Sequence, residues 1–381
     1  MMTSEKIPSG DDSRRVVAPQ SAGRVNDRTA MDLLLQHGPL TRAQLRTFTG
    51  MAQPTTAGLI ERLRARGFVE AAGAAKDGRR GPNAQLYRIR PDSAYVAAAH
   101  ISATERVVAI ADITGTIVTQ VRQSANDTVR PGDDVTAMLV AITADLGLSL
   151  SDVESVVVGT PGSIDPTTGD VGYVSEHPEW RGGIRAPLEH TIGRSVRLEN
   201  RLNLAGIAEY EYGRGIGRRS LALLSVGPGT GMAIILDGQI WSGVTGGAGE
   251  VAYLPVPGVN APRVDSRHKV SGGFGDLVEH YELSHEVTQS RLMAIARDVA
   301  LAAAAVVAIL DPGLIVLTGA LGRDGGDDLA AAVAAALAEM SPWASEVLPT
   351  SLTGDAVLRG AIALALREVH ESKWGPRNGW H

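Results

Sequence analysis

Apolar positions along the chain fall into two textures. From Val25 to Gln36, residues Val25, Ala30, Met31, Leu33, Leu34 and Leu35 form one helical stripe, ended by His37-Gly38-Pro39. Thr41, placed before Arg42-Ala43-Gln44-Leu45-Arg46, suits the N-cap of a short second helix. Pro54 suits the first turn of a third helix that runs to Arg66 with Leu59, Ile60 and Leu63 inward, and Gly67 closes it. Phe68-Val69-Glu70 and Gln85–Ile89 then read as strands flanking Gly73–Asn83, a loop rich in Gly, Lys and Arg. Helices two and three, Thr41–Phe48 and Pro54–Arg66, are joined by a short turn containing Gly50. With the hairpin behind them they form a winged helix-turn-helix pattern.

From Tyr95 onward short apolar runs alternate with helical stretches. Strands are predicted at Val96–His100, Val107–Ala111, Ile117–Val121, Val153–Val158, Val196–Glu199, Ser220–Val226, Gly231–Leu236 and Leu314–Thr318. Helices are predicted at Asp133–Leu146, Leu202–Tyr212, Leu292–Leu310, Asp327–Met340 and Asp355–Arg367. Glycines stand at several strand ends, and the alternation is that of an α/β domain. The expected organisation is a disordered leader over 1–23, a winged helix-turn-helix over 24–91, an α/β body over 92–370 and a tail over 371–381.

Charge separates the same two parts. Residues 1–90 hold 15 Lys and Arg against 8 Asp and Glu, and the remainder holds 21 against 34. A head of net +7 thus precedes a body of net −13, within a total of −6. Such asymmetry suits a nucleic-acid module fused to another function, although basic residues can also decorate a solvated face. The chain has no cysteine, which removes disulfides, thiolate metal ligands and thiol nucleophiles together. No run of about 18 apolar residues marks a transmembrane helix, and the polar first residues lack the apolar stretch of a signal peptide. A cytoplasmic protein with no membrane partner is expected.

In the helix-turn-helix pattern the third helix enters the major groove with its first residues at base edges. Gln53, Thr55 and Thr56 occupy that end, and they are expected to contact DNA together with Arg62 further along the helix. The wing tip, Lys76-Asp77-Gly78-Arg79-Arg80-Gly81-Pro82, offers Lys76, Arg79 and Arg80 to the minor groove or to phosphates. A winged-helix protein-interaction module would share the fold, but would leave the +7 charge unexplained.

The stretches Gly159-Thr160-Pro161-Gly162-Ser163-Ile164-Asp165, Leu198-Glu199-Asn200-Arg201-Leu202-Asn203-Leu204-Ala205, Gly227-Pro228-Gly229-Thr230-Gly231-Met232, Gly243 to Glu250 and Asp311 to Gly322 occur in one order. Each alone is a turn motif. Together, behind a wing carrying Gly78-Arg79-Arg80, they resemble the ROK family of repressors and sugar kinases over nearly all of residues 24–370. The resemblance implies a two-lobed, actin-like or ribonuclease H-like ATPase fold behind the winged helix-turn-helix.

It also exposes departures. The family's kinases carry Asp-Ile-Gly-Gly-Thr in the first hairpin, where this chain has His100-Ile101-Ser102-Ala103-Thr104. Their catalytic base is the Asp of Glu-Asn-Asp-x-Asn, where Arg201 stands. Arg stays protonated and cannot take a proton from a sugar hydroxyl. Phosphoryl transfer needs metal, phosphate loop and base together, so no enzyme activity and no cofactor are expected. Gly227–Gly231 matches the second phosphate loop, or is simply a retained strand-turn-strand. A family zinc site uses one His and three Cys. Here Tyr253 replaces the His, no Cys follows and His268 stands alone, so no metal is expected. The sugar contacts of the family map onto Asn200, Arg201, Glu250, Tyr253 and, with uncertain register, Arg267.

Arg201 either holds an anionic effector, such as a sugar phosphate or sugar acid, or pairs with Glu250 or Glu199 and fills the pocket. The resemblance implies a DNA-binding transcriptional regulator, usually a repressor. Its expected partners are a pseudo-palindromic double-stranded operator and a sugar-like effector, and its expected assembly is a homodimer or homotetramer. The alternatives are a sugar kinase with an accessory head, which would require Asp where Arg201 stands, and an effector-less regulator that answers to a protein partner.

Overall fold

The computed structural model describes residues 19–75, 84–126, 129–174, 177, 180–265, 270–279, 281, 289–343 and 345–375. The chain divides into two units, Met1–Arg90 with His370–His381, and Pro91–Val369.

The head is built from α1 (Pro19–His37), β1 (Leu40–Thr41), α2 (Arg42–Thr49), α3 (Gln53–Ala65), β2 (Val69–Ala74) and β3 (Gln85–Ile89). Helix α1 starts at Pro19, inside the stretch expected as leader. Thr41 caps α2 with a full capping box: its Oγ1 accepts the Gln44 N–H at 3.2 Å, and Gln44 Oε1 accepts the Thr41 N–H at 2.8 Å. Gly50 ends α2 in the left-handed region, at φ 69°. The strand order is β1-β3-β2, with Leu40 opposite Tyr87. Two residues long, β1 carries no periodicity to announce it. Ala30, Met31, Leu34, Leu45, Leu59, Ile60 and Leu63 close the core.

Residues 371–375 of the expected tail join this core. Trp374 is fully buried, edge-on to Phe68 at 6.4 Å and stacked on His370 at 4.0 Å. The guanidinium of Arg28 lies 5.9 Å from the indole, and its Nη1 donates to Gly375 O at 3.3 Å. Arg24 donates to Ser372 O, and Arg66 to Lys373 O. Three cations thus meet the carbonyls at the end of a helix, where the backbone dipole favours positive charge. The head is therefore completed from the far end of the sequence.

The body contains β4 (Tyr95–Ile101), β5 (Glu105–Asp112), β6 (Ile117–Ser124), α4 (Pro131–Asp145), β7 (Val153–Thr160), β8 (Ser163–Ile164), β9 (Val171–Tyr173), α5 (Arg185–Ile192), β10 (Arg197–Asn200) and α6 (Arg201–Tyr212). It continues with β11 (Ser220–Ser225), β12 (Gly231–Leu236), β13 (Gln239–Ile240), β14 (Arg263–Val264), β15 (Val270–Ser271), α7 (Phe274–Val278), α8 (Gln289–Leu310), β16 (Leu314–Thr318), α9 (Gly319–Met340), β17 (Glu346–Pro349) and α10 (Ala356–Trp374). Residues of α10 from His370 onward belong to the head.

Two five-stranded sheets repeat one design, with orders β10-β7-β4-β5-β6 and β13-β12-β11-β16-β17. In each, an antiparallel three-strand meander begins on the central strand, and two further strands add parallel on its other side. This is the two-lobed α/β architecture. The first sheet packs on α4 and α5 through Ala97, Ala99, Val108, Ile110, Leu139 and Leu188. The second carries α8 and α9 on one face, through Ile295, Val299, Val306, Leu329 and Val333, and Ile207 and Ala363 on the other. Gly360 lets α10 cross α6, since a β-carbon there would overlap Leu204 O. Helix α8 is long and apolar enough to span a bilayer by composition alone, yet Ile295, Ala296, Val299, Ala300, Ala302, Ala303, Val306 and Val307 are buried in this core. Helix α9 begins directly after β16, at Gly319, with a break at Gly326 (φ 50°, ψ −142°) before the expected start at Asp327.

Replacing Trp374 with Ala should cost the head about 3–5 kcal/mol, since a large aromatic leaves a closed core. Urea unfolding followed by a probe in the head checks this. A loss under about 1 kcal/mol would place Trp374 outside that core.

Candidate functional site

In the head, Gln53 and Thr55 are exposed at the start of α3, and Arg46 Nη1 reaches Gln53 Oε1 at 3.5 Å. Thr56 is different. It is 3% exposed, and its Oγ1 donates to Ala52 O at 3.2 Å, so it packs inward and presents nothing to a base. Its spacing from Leu59, Ile60 and Leu63 is the inward helical spacing. Arg62 is half-exposed and already has a partner within the head. Its Nη2 lies 2.5 Å from Oδ1 of the buried Asp27, whose other oxygen lies 3.4 Å from Arg66. That hydrogen bond holds the Arg62 guanidinium above its ordinary pKa, against the opposing effect of burial. Arg62 therefore fastens α3 to α1. Lys76, Arg79 and Arg80 lie outside the described residues.

In the body, Asn200 is used at both ends of its amide. Its Oδ1 accepts the Leu202 N–H at 2.7 Å, capping α6, and its Nδ2 donates to Gly162 O at 2.7 Å. Asn203 donates to Glu199 Oε1 at 2.9 Å, and Arg197 lies 3.3 Å from the same carboxylate. These residues, with Ile164, Pro166, Leu198, Ser242 and Gly246, line a cavity of about 290 Å³.

Arg201 opens α6 and extends to the Gly227–Gly231 turn. A β-carbon at Gly229 would stand 2.6 Å from its Nη2. Gly227 and Gly229 adopt φ of 107° and 76°, and Thr230 Oγ1 donates to Gly227 O at 2.6 Å. A cation thus occupies the approach to a glycine turn, at the position where the kinases of the resemblance carry a carboxylate.

Gly249 holds the segment before Glu250 against β12, accepting the Met232 N–H at 2.8 Å. Burial pushes the Glu250 carboxyl above the ordinary range. The Tyr253 phenol is pushed up as well, by burial first, then by the Tyr173 hydroxyl and by Glu250. Tyr173, on β9, joins this group without any signal in the sequence. Arg201, Glu250 and Tyr253 are not among the lining residues of the 290 Å³ cavity, so Asn200 is the one expected contact that the cavity includes. Arg267 lies outside the described residues.

His100 stands where the first phosphate loop would carry Asp. Its Nδ1 lies 3.4 Å from Asp355 Oδ2, and Arg122 lies 3.8 Å from the same oxygen. Asp355 Oδ1 caps α10 by accepting the Leu358 N–H at 2.9 Å. Burial raises the Asp355 carboxyl, but His100, the Leu358 amide and Arg122 outweigh it and hold the group below its usual value. Among the described residues no group of three His, Asp or Glu side chains is placed to hold a metal ion.

Residues 96–267 match the ROK family model, and residues 28–80 match a MarR family model. The chain carries a ROK family domain behind a MarR-type winged helix-turn-helix. The crystal structure of a ROK family transcriptional regulator, a homologue of the Escherichia coli Mlc protein, superposes with a TM-score of 0.68 at 16% identity, covering 93% of this chain and 98% of that one. The ROK hexokinase of Thermus thermophilus superposes with a TM-score of 0.59 at 24% identity, covering 73% and 99%. In sequence, the xylose repressor of Bacillus subtilis is 21% identical over 63% of this chain and 62% of its own length. A glucokinase of Halalkalibacterium halodurans is 34% identical over 28% of this chain and 33% of its own length. The first four curated relatives are matched over 33–63% of their own length.

Glu250 yields a pH prediction. Its folded pKa is raised, so the folded state carries the cost of a buried charge above that pKa and sheds it as pH falls through it. Glu250→Gln should therefore raise the melting temperature at pH 7–8, with the gain shrinking toward pH 4. A gain independent of pH would contradict this.

Proposed function

We propose that this protein is a sequence-specific DNA-binding transcriptional regulator, acting as a repressor, whose body senses an anionic sugar-derived ligand. The observation that carries the reading is the pairing of two features in one chain. A winged helix-turn-helix exposes Gln53 and Thr55 at the start of α3, and a kinase-like body bears Arg201 against the Gly229 turn. An arginine cannot act as the base of phosphoryl transfer, whereas its planar fork matches phosphate or carboxylate. The xylose repressor and Mlc-homologue likenesses support a regulator, and the xylose repressor name supports a sugar response. The kinase names among the relatives support the enzyme alternative, against which His100 and Arg201 both stand.

A homodimer or homotetramer in the cytoplasm places two α3 helices on adjacent turns of a pseudo-palindromic operator. Ligand binding between the lobes changes their closure, and with it the spacing of the heads.

Selection of random duplexes by the full chain should enrich one two-fold-related motif, bound with affinity that falls steeply with salt. Neutralising Arg79 and Arg80 together should weaken that binding and lower the salt slope, while replacing Gln53 or Thr55 should mainly relax sequence preference. Enrichment of no motif would sink the reading, and a double Arg variant that binds as wild type would sink the wing assignment.

For the body, thermal shifts should separate three ligand groups, namely neutral sugars, sugar phosphates and uronic acids. Stabilisation is expected from an anionic member and should vanish in Arg201→Ala. Stabilisation by neutral sugars alone, or by none, would remove the anionic effector.

A further inference from the structure

Gly58 stands in the interior of α3, three residues after Thr55 and four before Arg62, and like both it is exposed. The opposite side of the helix, formed by Thr56, Leu59, Ile60 and Leu63, is buried. Glycine is the poorest helix former apart from proline, because the unfolded chain loses most freedom there. A helix interior keeps glycine for one of two internal reasons, a left-handed φ or a neighbour that leaves no room for a β-carbon. Neither holds at Gly58. Its φ lies outside the left-handed region, and among the described residues a β-carbon built there meets nothing within 4 Å beyond its chain neighbours and the helix's own backbone. Alanine would fit and would favour the helix, so nothing inside the described protein calls for glycine.

We propose that Gly58 is the point of closest approach between α3 and the DNA duplex, where bare backbone lets the helix seat deeply enough for Thr55 and Gln53 to reach base edges. This rests on the DNA-binding reading above and extends it by naming a residue that sets specificity through the absence of a side chain. The fit is tight by dimension. An α-helix with its side chains is about 10–12 Å across, and the major groove is about 12 Å wide. Where only hydrogen stands at Gly58 the backbone can come closer to the groove floor than side chains allow, and a methyl there takes up that clearance. Its loss weakens base contacts first, because the phosphate contacts come from long flexible cations at the edges.

The test compares wild type with Gly58→Ala as full chains, on the duplex that wild type enriches from a random pool. The variant should melt at a higher temperature, showing that its fold is intact and its helix improved. It should bind that duplex at least tenfold more weakly, with the slope of log affinity against log salt unchanged. It should also enrich a broader set of sequences than wild type does. An unchanged affinity, or a lowered melting temperature that reveals an internal packing role, overturns the proposal. If wild type enriches no sequence, the DNA-binding reading falls and this one with it. If wild type enriches a motif that Gly58→Ala binds equally well, this one alone falls.

Discussion

The indole of Trp374 is the interaction on which the head depends. It is fully buried against Phe68 and His370, and Arg24, Arg28 and Arg66 hold the carbonyls of the turn that carries it. Removing that ring would open a cavity that α1, α3 and the wing strands could not all collapse to fill. The same head is locked a second time by the buried Asp27, which meets both Arg62 and Arg66. A buried carboxylate is tolerated only when paired, so Asp27 ties down Arg62 on α3 and Arg66 just beyond its end. Helix α3 is thus positioned from behind by α1 and by residues 372–375, and Gln53, Thr55 and Gly58 are among its exposed residues.

The body keeps a two-lobed scaffold of the kind seen in the ROK hexokinase, with His100 near the end of β4 and Arg201 at the start of α6. Its two sheets share one topology, and the glycine turns persist at their ends. The reactive positions carry other groups. His100 is drawn to Asp355, and Arg201 lies against Gly229. The resemblance to the family's kinases implies carboxylates at both places. In the proposed function the Arg201 guanidinium pairs with an anion, and it cannot abstract a proton.

Much of this was legible in the sequence, and particular residues show why the rest was not. The capping role of Thr41 and the inward set Leu59, Ile60 and Leu63 follow from local rules, because caps and periodicity are properties of adjacent residues. The same periodicity places Thr56 inside, a signal outweighed by its position at the helix start. The ion pair of Arg62 has no local signal, because charge alone does not tell a ligand contact from an ion pair and its partner Asp27 lies 35 residues away. The docking of Trp374 brings together segments some 350 residues apart, which no local pattern encodes. In the body, the family pattern named Arg201 and Glu250. The reach of Arg201 to Gly229, and the grouping of Tyr173 with Tyr253 and Glu250, depend on how strands separated in sequence are registered.

The central claim is that α3 and its wing read a defined DNA sequence. Crosslinking the protein to the chromosome in cells that produce it, and mapping the bound fragments, tests that claim most directly. The account predicts a small number of sharp peaks that share one two-fold-related motif at a spacing of about 10 base pairs or a multiple between half-site centres. Signal spread evenly along the chromosome, with no shared motif, would contradict it.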